Sequence, residues 1–208
     1  KGLAIGANVA YLWVNLERTV VNSYSDSYIN TLSKTYTYEV KSYKADLGLQ
    51  YTQKLSKKNA ITLGLTYFLG HKLNSDAVCN IISKNSQTAV NDTTSYAIKD
   101  ALSLPHVFGV GFMWNHNNHL KLGVDYQLQK WADIKMPQFN VVNDKASYTL
   151  VSGQLKDMQK LTLGGEYCKG ERYRNFFSQL HYRAGVSYST PYIMINKQDG
   201  PKEISGRL

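Results

Sequence analysis

The stretch HLKLGVDYQLQKW, residues 119–131, alternates apolar and polar side chains without a break. Every second position is apolar: Leu120, Leu122, Val124, Tyr126 and Leu128. Alternation over about ten residues predicts a β-strand with one apolar and one polar face. In a soluble sheet the apolar face would meet a protein core. In a membrane barrel it would meet lipid, and the polar face would line a lumen.

A five-residue unit, apolar-Gly-x-x-aromatic, repeats along the chain. It occurs as LGLQY (47–51), LGLTY (63–67), VGFMW (110–114), LGVDY (122–126), LGGEY (163–167) and AGVSY (184–188). In a strand the first and fifth residues share a face and the glycine points the other way. An aromatic ring therefore recurs on the apolar face, as the interfacial girdle of a membrane barrel requires. The glycines opposite predict a closely approached inner wall.

The connections between these units alternate in length. Short polar turns occupy 56–59, 115–118 and 169–175, and long connections fall at about 75–96 and 136–156. The predicted strands cover about 3–21, 35–55, 60–74, 97–114, 119–135, 158–168 and 176–195. Short turns at one end and long loops at the other are typical of outer-membrane barrels, and the longer strands should project beyond the bilayer. A soluble lipocalin-like barrel, the alternative, would fill its interior with large apolar side chains.

We therefore predict an all-β, antiparallel transmembrane β-barrel. No run of 18 apolar residues occurs, so no transmembrane helix is expected. Residues 1–208 form a single barrel domain that looks truncated at both ends, because no signal peptide precedes the first predicted strand and the last residues resemble the start of a strand. We therefore expect a piece of a longer protein. Cys79 is expected in a long loop and Cys168 beside a short turn at the opposite end, too far apart for a disulfide.

The chain is basic, with a formal net charge of +9. Its basic groups coincide with predicted short turns, at Lys54, Lys57 and Lys58 and at Lys169, Arg172 and Arg174. Such groups are either solvated turns or contacts to the phosphates of surface lipid. No nucleic-acid-binding motif is present, so we expect no nucleic-acid partner.

No pattern in the sequence predicts an enzyme, a metal site or a cofactor. His106, His116 and His119 have no carboxylate or cysteine among them. Ser178 and His181 fall on opposite faces of a strand, and Ser187 is about 20 Å from His181 along it.

A set of charged residues is predicted to line the lumen: Lys121, Asp125, Glu166, His181 and Arg183. Lys121 and Glu166 each lie about three residues from a short turn and are expected to be cross-strand neighbours. The other three residues are expected higher on the same wall. This set is either an ion-pair network that satisfies buried charge, or a polar track with an anchor for a carboxylate head group.

The segment LSLPHVFGVGFMWNHNNHLKLGVDYQLQKWADI (102–134) combines a Leu-Pro pair, a glycine-containing strand, a four-residue polar turn and a trailing Trp131. This combination resembles the FadL/TodX-type outer-membrane transport family, in a Bacteroidetes-like version. YRAGVSYSTPYIMIN followed by GPKEIS is similar to that family's penultimate strand and its turn into the last strand. The resemblance implies a barrel of about fourteen strands, of which this chain is the C-terminal half.

The resemblance also implies location in the outer membrane of a Gram-negative bacterium and passive uptake of hydrophobic compounds such as long-chain fatty acids. The expected partners are the bilayer, its surface lipid and a hydrophobic small molecule or fatty acid, and we expect a monomer. The alternative is a structural or adhesive outer-membrane barrel whose long loops bind partners. A transporter requires an apolar pocket in the lumen, whereas an adhesive barrel requires no ligand-sized cavity.

Cysteine labelling tests the predicted orientation of residues 119–131. In the full-length protein, single cysteines at Leu122 and Val124 should react only with a lipid-soluble thiol reagent, because those side chains face hydrocarbon. Cysteines at Lys121 and Asp125 should react only with a water-soluble reagent. Resistance of the Leu122 and Val124 sites to both reagents would instead indicate a packed soluble core.

Overall fold

The computed structural model describes residues 2–26, 28–85, 87–88, 90–142, 145–169, 180–195 and 198–208. Within these ranges the secondary structure is all β. The strands are β1 (Gly2–Asn22), β2 (Thr31–Lys54), β3 (Asn59–Phe68), β4 (Ser75–Lys84), β5 (Asn91–Lys99), β6 (Val107–His116), β7 (Leu120–Gln129), β8 (Met136–Val142), β9 (Lys145–Val151), β10 (Met158–Tyr167), β11 (Tyr182–Ser189), β12 (Met194–Ile195), β13 (Gln198–Asp199) and β14 (Glu203–Arg207).

Ten of these strands form one antiparallel sheet. Its order is β14-β11-β10-β7-β6-β3-β2-β4-β5, and β1 pairs with β2 along its whole length. The edge strands β1 and β14 do not pair with each other. Residues of β1 and of β7 line the same groove, so the sheet is concave. The predicted all-β antiparallel barrel architecture is confirmed as a curled half-barrel.

Tight turns join the strands at one end, here called the short-turn end. Between β6 and β7, Asn117 and Asn118 have φ values of 54° and 58°. Positive φ at both central residues defines the type I′ turn that matches the twist of a β-hairpin, and asparagine tolerates it well. The turns predicted at 56–59 and 115–118 are confirmed, whereas most of the turn predicted at 169–175 lies outside the described residues.

At the opposite, long-loop end the sheet contains one extra residue. β3 and β4 lie end to end along β2, with Phe68 opposite Asp46 and Ser75 opposite Val40. Five residues (41–45) of β2 therefore face six residues (69–74) of the other segment. One extra residue in a ladder reverses the faces of every residue that follows it.

The reversal carries over to the next strand. β6 pairs with β3 and β5 pairs with β4 in a single continuous register, with Phe68 opposite Val107 and Asp76 opposite Lys99. Between them, residues 69–74 and 100–106 form an irregular segment, here called the break. Hydrogen bonds preserve the register through the break, as from the Leu73 N–H to the Leu102 carbonyl at 2.9 Å.

Apolar side chains face opposite directions on the two sides of the break. On the short-turn side, Leu63 and Leu65 of β3 are exposed on the outer face. On the long-loop side, Ala77 and Cys79 of β4 are fully buried on the inner face. They pack with apolar and aromatic side chains of β2, β5, β8 and β9: Tyr36, Tyr38, Tyr96, Ile98, Phe139 and Tyr148.

The long connections predicted at 75–96 and 136–156 are therefore not irregular loops. They form the hairpins β4–β5 and β8–β9, which share the core described above. The prediction was wrong because polar residues of β4 and β5, such as Asn80, Thr93 and Ser95, occupy the exposed face of a sheet. Cys79 lies in a strand rather than a loop, and no disulfide joins it to Cys168.

One predicted strand start was also wrong. β6 begins at Val107 rather than at 97, because the break intervenes. β11 begins at Tyr182, and the start predicted at 176 lies outside the described residues. The expected long strands are present, since β1 has 21 residues and β2 has 24.

Gly70→Ala should destabilise the break. A Cβ at Gly70 would overlap the backbone of Pro105 and His106, whereas a Cβ at Gly6 would meet nothing within 4 Å. Because backbone cannot move aside cheaply, we expect Gly70→Ala to lower the free energy of unfolding by about 1–3 kcal/mol. Urea unfolding of the full-length protein in micelles measures this, with Gly6→Ala as the matched control. Equal unfolding free energies for the two variants would contradict the packing described here.

Candidate functional site

The outer face of the half-barrel carries two rows of aromatic side chains. The aromatic residue of the repeating unit lies alternately at the two ends, because successive strands run in opposite directions. Tyr51, Trp114, Tyr167 and Tyr182 mark the short-turn end, and Tyr43, Tyr67, Tyr126 and Tyr188 mark the long-loop end. Along β2 and β11 the rows are eight and six residues apart, or about 20–27 Å. The separation along these two strands is close to the height of the apolar band of an outer-membrane barrel. By the strand registers, Tyr51 and Tyr67 are only four residues apart, or about 13 Å, as are Trp114 and Tyr126.

The inner face is a wall of glycines, one from each repeating unit. Gly64 pairs with Gly111, and Gly164 pairs with both Gly123 and Gly185. The predicted crowding is found at one of these positions, since an added Cβ at Gly111 would lie 2.5 Å from Asp125 Oδ1. An added Cβ at Gly64, Gly123 or Gly164 would find its nearest neighbour 3.8–4.0 Å away, which is ordinary contact.

A groove of about 1000 Å³ runs along the inner face between β1 and β7. Near the break its lining is apolar, and the lining side chains there are Leu12, Phe68, Leu104, Pro105 and Trp131. These five residues are called the collar below. Further polar lining comes from side chains of β1, β2 and β7, including Asn8, Lys44, Asp46, Gln127 and Gln129.

The polar groups around the collar are paired among themselves. Lys44 Nζ lies 3.6 Å from Asp46 Oδ2 and 5.0 Å from the centre of the Phe68 ring. The Trp131 indole N–H donates to Gln129 Oε1 at 2.7 Å, and the Trp131 ring stacks on Tyr192 with centroids 5.0 Å apart. Pairing of these groups lowers the cost of bringing an apolar molecule beside them.

Residues 130–157, including the hairpin β8–β9, are called the cap. Tyr148 and Phe139 of the cap pack against the face of the upper sheet that carries Tyr36 and Tyr38. Those two residues lie in phase with Asp46 along the unbroken strand β2, so the cap lies on the lumen side. Burial raises the pKa of the Tyr148 hydroxyl, which stays protonated in this core. The cap therefore extends across the long-loop end of the groove.

One carboxylate fastens the two ends of the cap. Lys130 Nζ donates to Asp157 Oδ2 at 2.6 Å, and the Ala132 N–H donates to Asp157 Oδ1 at 3.1 Å. Burial raises the pKa of Asp157, but the hydrogen bonds from Lys130 and Ala132 lower it by more, so the pKa lies below its ordinary value. A backbone hydrogen bond from the Lys130 N–H to the His106 carbonyl at 2.9 Å joins the cap to the break.

Four of the five predicted lumen residues meet at the short-turn end. Glu166 accepts from Lys121 Nζ at 3.1 Å and from Arg183 Nε at 2.8 Å, and it lies 3.0 Å from His181 Nδ1. The expected pairing of Lys121 with Glu166 is confirmed by the strand register. The expected higher position of His181 and Arg183 was wrong, because the register of β10 and β11 places Arg183 directly opposite Glu166, and His181 contacts the same carboxylate.

Asp125, the fifth predicted residue, stands apart from this cluster. It lies opposite Gly111 and Thr162, four residues along β7 from Lys121. It faces a second groove of about 530 Å³, which the glycine wall lines together with Lys121, Glu166 and Arg183.

The remaining polar candidates do not assemble into a catalytic or metal site among the described residues. His106 and His116 lie at opposite ends of β6, where His106 bonds the Tyr67 hydroxyl and His116 bonds Asn59. Ser187 bonds Ser205 rather than His181, and Ser178 lies outside the described residues. Within the described ranges no group of three His, Cys, Asp or Glu side chains is placed to bind a metal ion. The same ranges contain no helix long and apolar enough to cross a membrane.

The bond network of Asp157 predicts a pH-dependent cap. A carboxyl whose pKa is lower in the folded state stabilises that state above its unfolded pKa, and the stabilisation is lost as the pH falls through the folded pKa. Asp157→Asn should remove this contribution at neutral pH. Because the pair is partly exposed, the loss should be below about 1 kcal/mol, or up to about fivefold faster exchange of the amides at 132–134. Hydrogen–deuterium exchange measures it.

Asp133→Asn is the matched control, since it removes the same charge from an exposed carboxyl in the same segment. Equal exchange rates in the two variants would show that Asp157 does not fasten the cap.

Three solved structures share this fold. The CymD monoaromatic hydrocarbon channel matches with a TM-score of 0.58 and 17% identity over 98% of this chain and 59% of its own. The toluene transporter TodX of Pseudomonas putida matches with a TM-score of 0.55 and 15% identity over 98% of this chain and 55% of its own. The TodX deltaS2S3 mutant, a monoaromatic hydrocarbon channel, matches with a TM-score of 0.57 and 16% identity over 90% of this chain and 50% of its own.

The chain thus has the fold of FadL-type outer-membrane barrel channels and spans about half the length of those channels. No curated protein matches the sequence. The model of one family, described as BamG, matches residues 1–202. That match covers nearly the entire chain, and the chain therefore belongs to the BamG family.

Proposed function

We propose that the full protein is a passive channel for hydrophobic compounds in the outer membrane of a Gram-negative bacterium. The observation that carries this proposal is the groove of about 1000 Å³ with its apolar collar. A ligand-sized apolar cavity is what a transporter of hydrophobic compounds requires and what a purely adhesive barrel lacks. The apolar outer face, bounded by two aromatic rows, supports the location in a membrane.

The proposed mechanism uses binding and diffusion alone. An apolar molecule that enters the collar leaves water and gains about 25 cal/mol for each Å² of apolar surface it buries. The collar consists of five side chains in a longer groove, so binding there is weak enough to allow release. The glycine wall leaves few side chains in the path towards the short-turn end, and Asp125 is one of them. No source of energy is needed beyond the concentration difference.

Two substrate classes fit the collar. The structural neighbours are described as channels for toluene and other monoaromatic hydrocarbons, and by analogy small aromatic compounds are one proposed class. Long-chain fatty acids are the other. For them the acyl chain would lie against the collar. We propose that Lys121, Asp125, Glu166, His181 and Arg183 form the polar lining of the exit at the short-turn end.

An adhesive barrel is the second candidate function. It is favoured by the upper sheet, where the outward faces of β1, β2, β4 and β5 form an uncovered grid of mostly small polar side chains, such as Thr19, Thr35, Asn80 and Ser95. A partner bound by this face would meet the cap-free side of the sheet. Changes to the collar should not affect such binding.

Trp131→Ala tests the channel function. Loss of the indole removes the largest apolar surface of the collar, and we expect uptake of toluene or palmitate into proteoliposomes containing the full-length protein to fall about tenfold. Trp13→Ala is the matched control, because Trp13 is 71% exposed and points away from the lumen. Comparison of the two substrates separates the proposed classes. Unchanged uptake in Trp131→Ala, or an equal fall in both variants, would contradict the proposal.

A further inference from the structure

The cluster at the short-turn end has more positive charge than its carboxylate can neutralise. Lys121 and Arg183 each carry a full positive charge, and His181 adds a third nitrogen group, whereas Glu166 supplies a single negative charge. The Glu166 side chain is 21% exposed, whereas those of Lys121 and His181 are 38% exposed and that of Arg183 is 69% exposed. The carboxylate lies innermost and the cationic groups lie around it, facing open space.

Lys121 and Arg183 keep donors that Glu166 does not use. Arg183 engages Glu166 through Nε, which leaves both terminal nitrogens of the guanidinium. Lys121 donates one of its three N–H bonds. His181 faces Glu166 through Nδ1, and its Nε2 is a further donor only when the ring is a doubly protonated imidazolium. Because a guanidinium presents its donors in a rigid fork, the remaining edge of Arg183 matches the two oxygens of a carboxylate or phosphate.

The sheet fixes the spacing of these donors before any ligand arrives. β7, β10 and β11 are adjacent, and their registers place Lys121, Glu166 and Arg183 in one row across the wall. Glu166 holds the cations on both sides with its two oxygens. A site whose donors are already ordered loses less conformational entropy on binding than a set of free surface side chains.

Among the described residues, a further cation lies on the face that carries the cluster. On the neighbouring strand β14, Arg207 pairs with Gly185 and so lies on the same face as Arg183. Asp125 is four residues along β7 from Lys121, or about 13 Å away. The groove of about 530 Å³ that adjoins the cluster gives a small molecule access to it.

We propose that Lys121, His181 and Arg183, held in place by Glu166, form a binding site for the oxyanion of a small molecule, either a carboxylate or a phosphate. The site lies at the short-turn end of the lumen, whereas the collar lies near the break at the long-loop end. It does not depend on the uptake of hydrophobic compounds, since a free anion can reach it from the aqueous side.

Binding to the full-length protein in an uncharged detergent tests this site. Inorganic phosphate is the first probe, measured by titration calorimetry. Decanoate is the second, compared with decanol, which has the same chain and no charge. Saturable phosphate binding identifies the oxyanion alone as sufficient. Tighter binding of decanoate than of decanol, without phosphate binding, identifies an amphiphilic carboxylate as the source of the anion. Either result supports the site.

Two double variants distinguish binding at the Glu166 cluster from binding by the overall positive charge of the inner wall. Lys121→Gln with Arg183→Gln should weaken binding of the effective anion at least about tenfold, since charge-assisted hydrogen bonds are lost. Lys54→Gln with Lys160→Gln removes two charges from the same inner wall and should leave the affinity unchanged. Retained folding is checked by the heat-dependent shift in gel mobility. If the double variant does not fold, Arg183→Gln alone carries the test, because its side chain is largely exposed.

The proposal is overturned by three results. The first is a parent protein that shows no saturable phosphate binding and binds decanoate no better than decanol. The second is a folded variant of Lys121 and Arg183 with unchanged affinity. The third is an equal loss of anion affinity in both variant pairs, which would show that the overall positive charge of the inner wall binds the anion instead of a specific site.

Discussion

In hydrocarbon every backbone N–H and C=O must form a hydrogen bond within the protein. The hydrogen-bond ladder between β2 and its neighbours β3 and β4 must therefore be kept up to the edge of the membrane. The single extra residue between Phe68 and Ser75 meets this constraint. The ladder continues along β2, and at the same time the apolar face changes sides. Below the break the apolar side chains face outward. Above it they face inward and form a protein core under the cap. The collar lies at this crossing point, because Leu104 and Pro105 belong to the break and Trp131 begins the cap.

The polarity of the lumen differs between its two ends. At the long-loop end the cap closes over an apolar collar, and the local charges of Lys44 and Asp46 are paired. At the short-turn end the cluster around Glu166 keeps an excess of positive charge. Between them the glycine wall carries few side chains that could either bind or repel a passing molecule. A molecule with an apolar part and an anionic part would meet each of its preferred surroundings at a different depth.

Much of this architecture is visible in the sequence because the repeating unit records both faces at once. The apolar residue and the aromatic ring specify the outer face, and the glycine specifies the inner one, so the direction and the two faces of six strands follow from 47–51, 63–67, 110–114, 122–126, 163–167 and 184–188. The pairing of Lys121 with Glu166 could be predicted from their equal distances to the short turns. The hairpins β4–β5 and β8–β9 could not, because their apolar side chains face a core made by distant segments. The position of Arg183 depended on the register between β10 and β11, which no local residue marks.

The repeating glycines also have a consequence for how wide the channel is. Where a wall is built from side chains, its inner surface is as deep as those chains and changes only when they are repacked. Here six strands each contribute one glycine of the repeating unit to the inner face, and at that position the inner surface is the peptide backbone itself. The bore can therefore be narrowed in steps of one methyl group, by alanine at Gly64, Gly123 or Gly164, without a clash in the sheet and without any change on the lipid side. The inward glycine positions set the width of the bore, and the outward side chains set the contact with lipid. Substitutions at the glycines can therefore change the size of the molecules admitted while the outer face of the barrel stays the same.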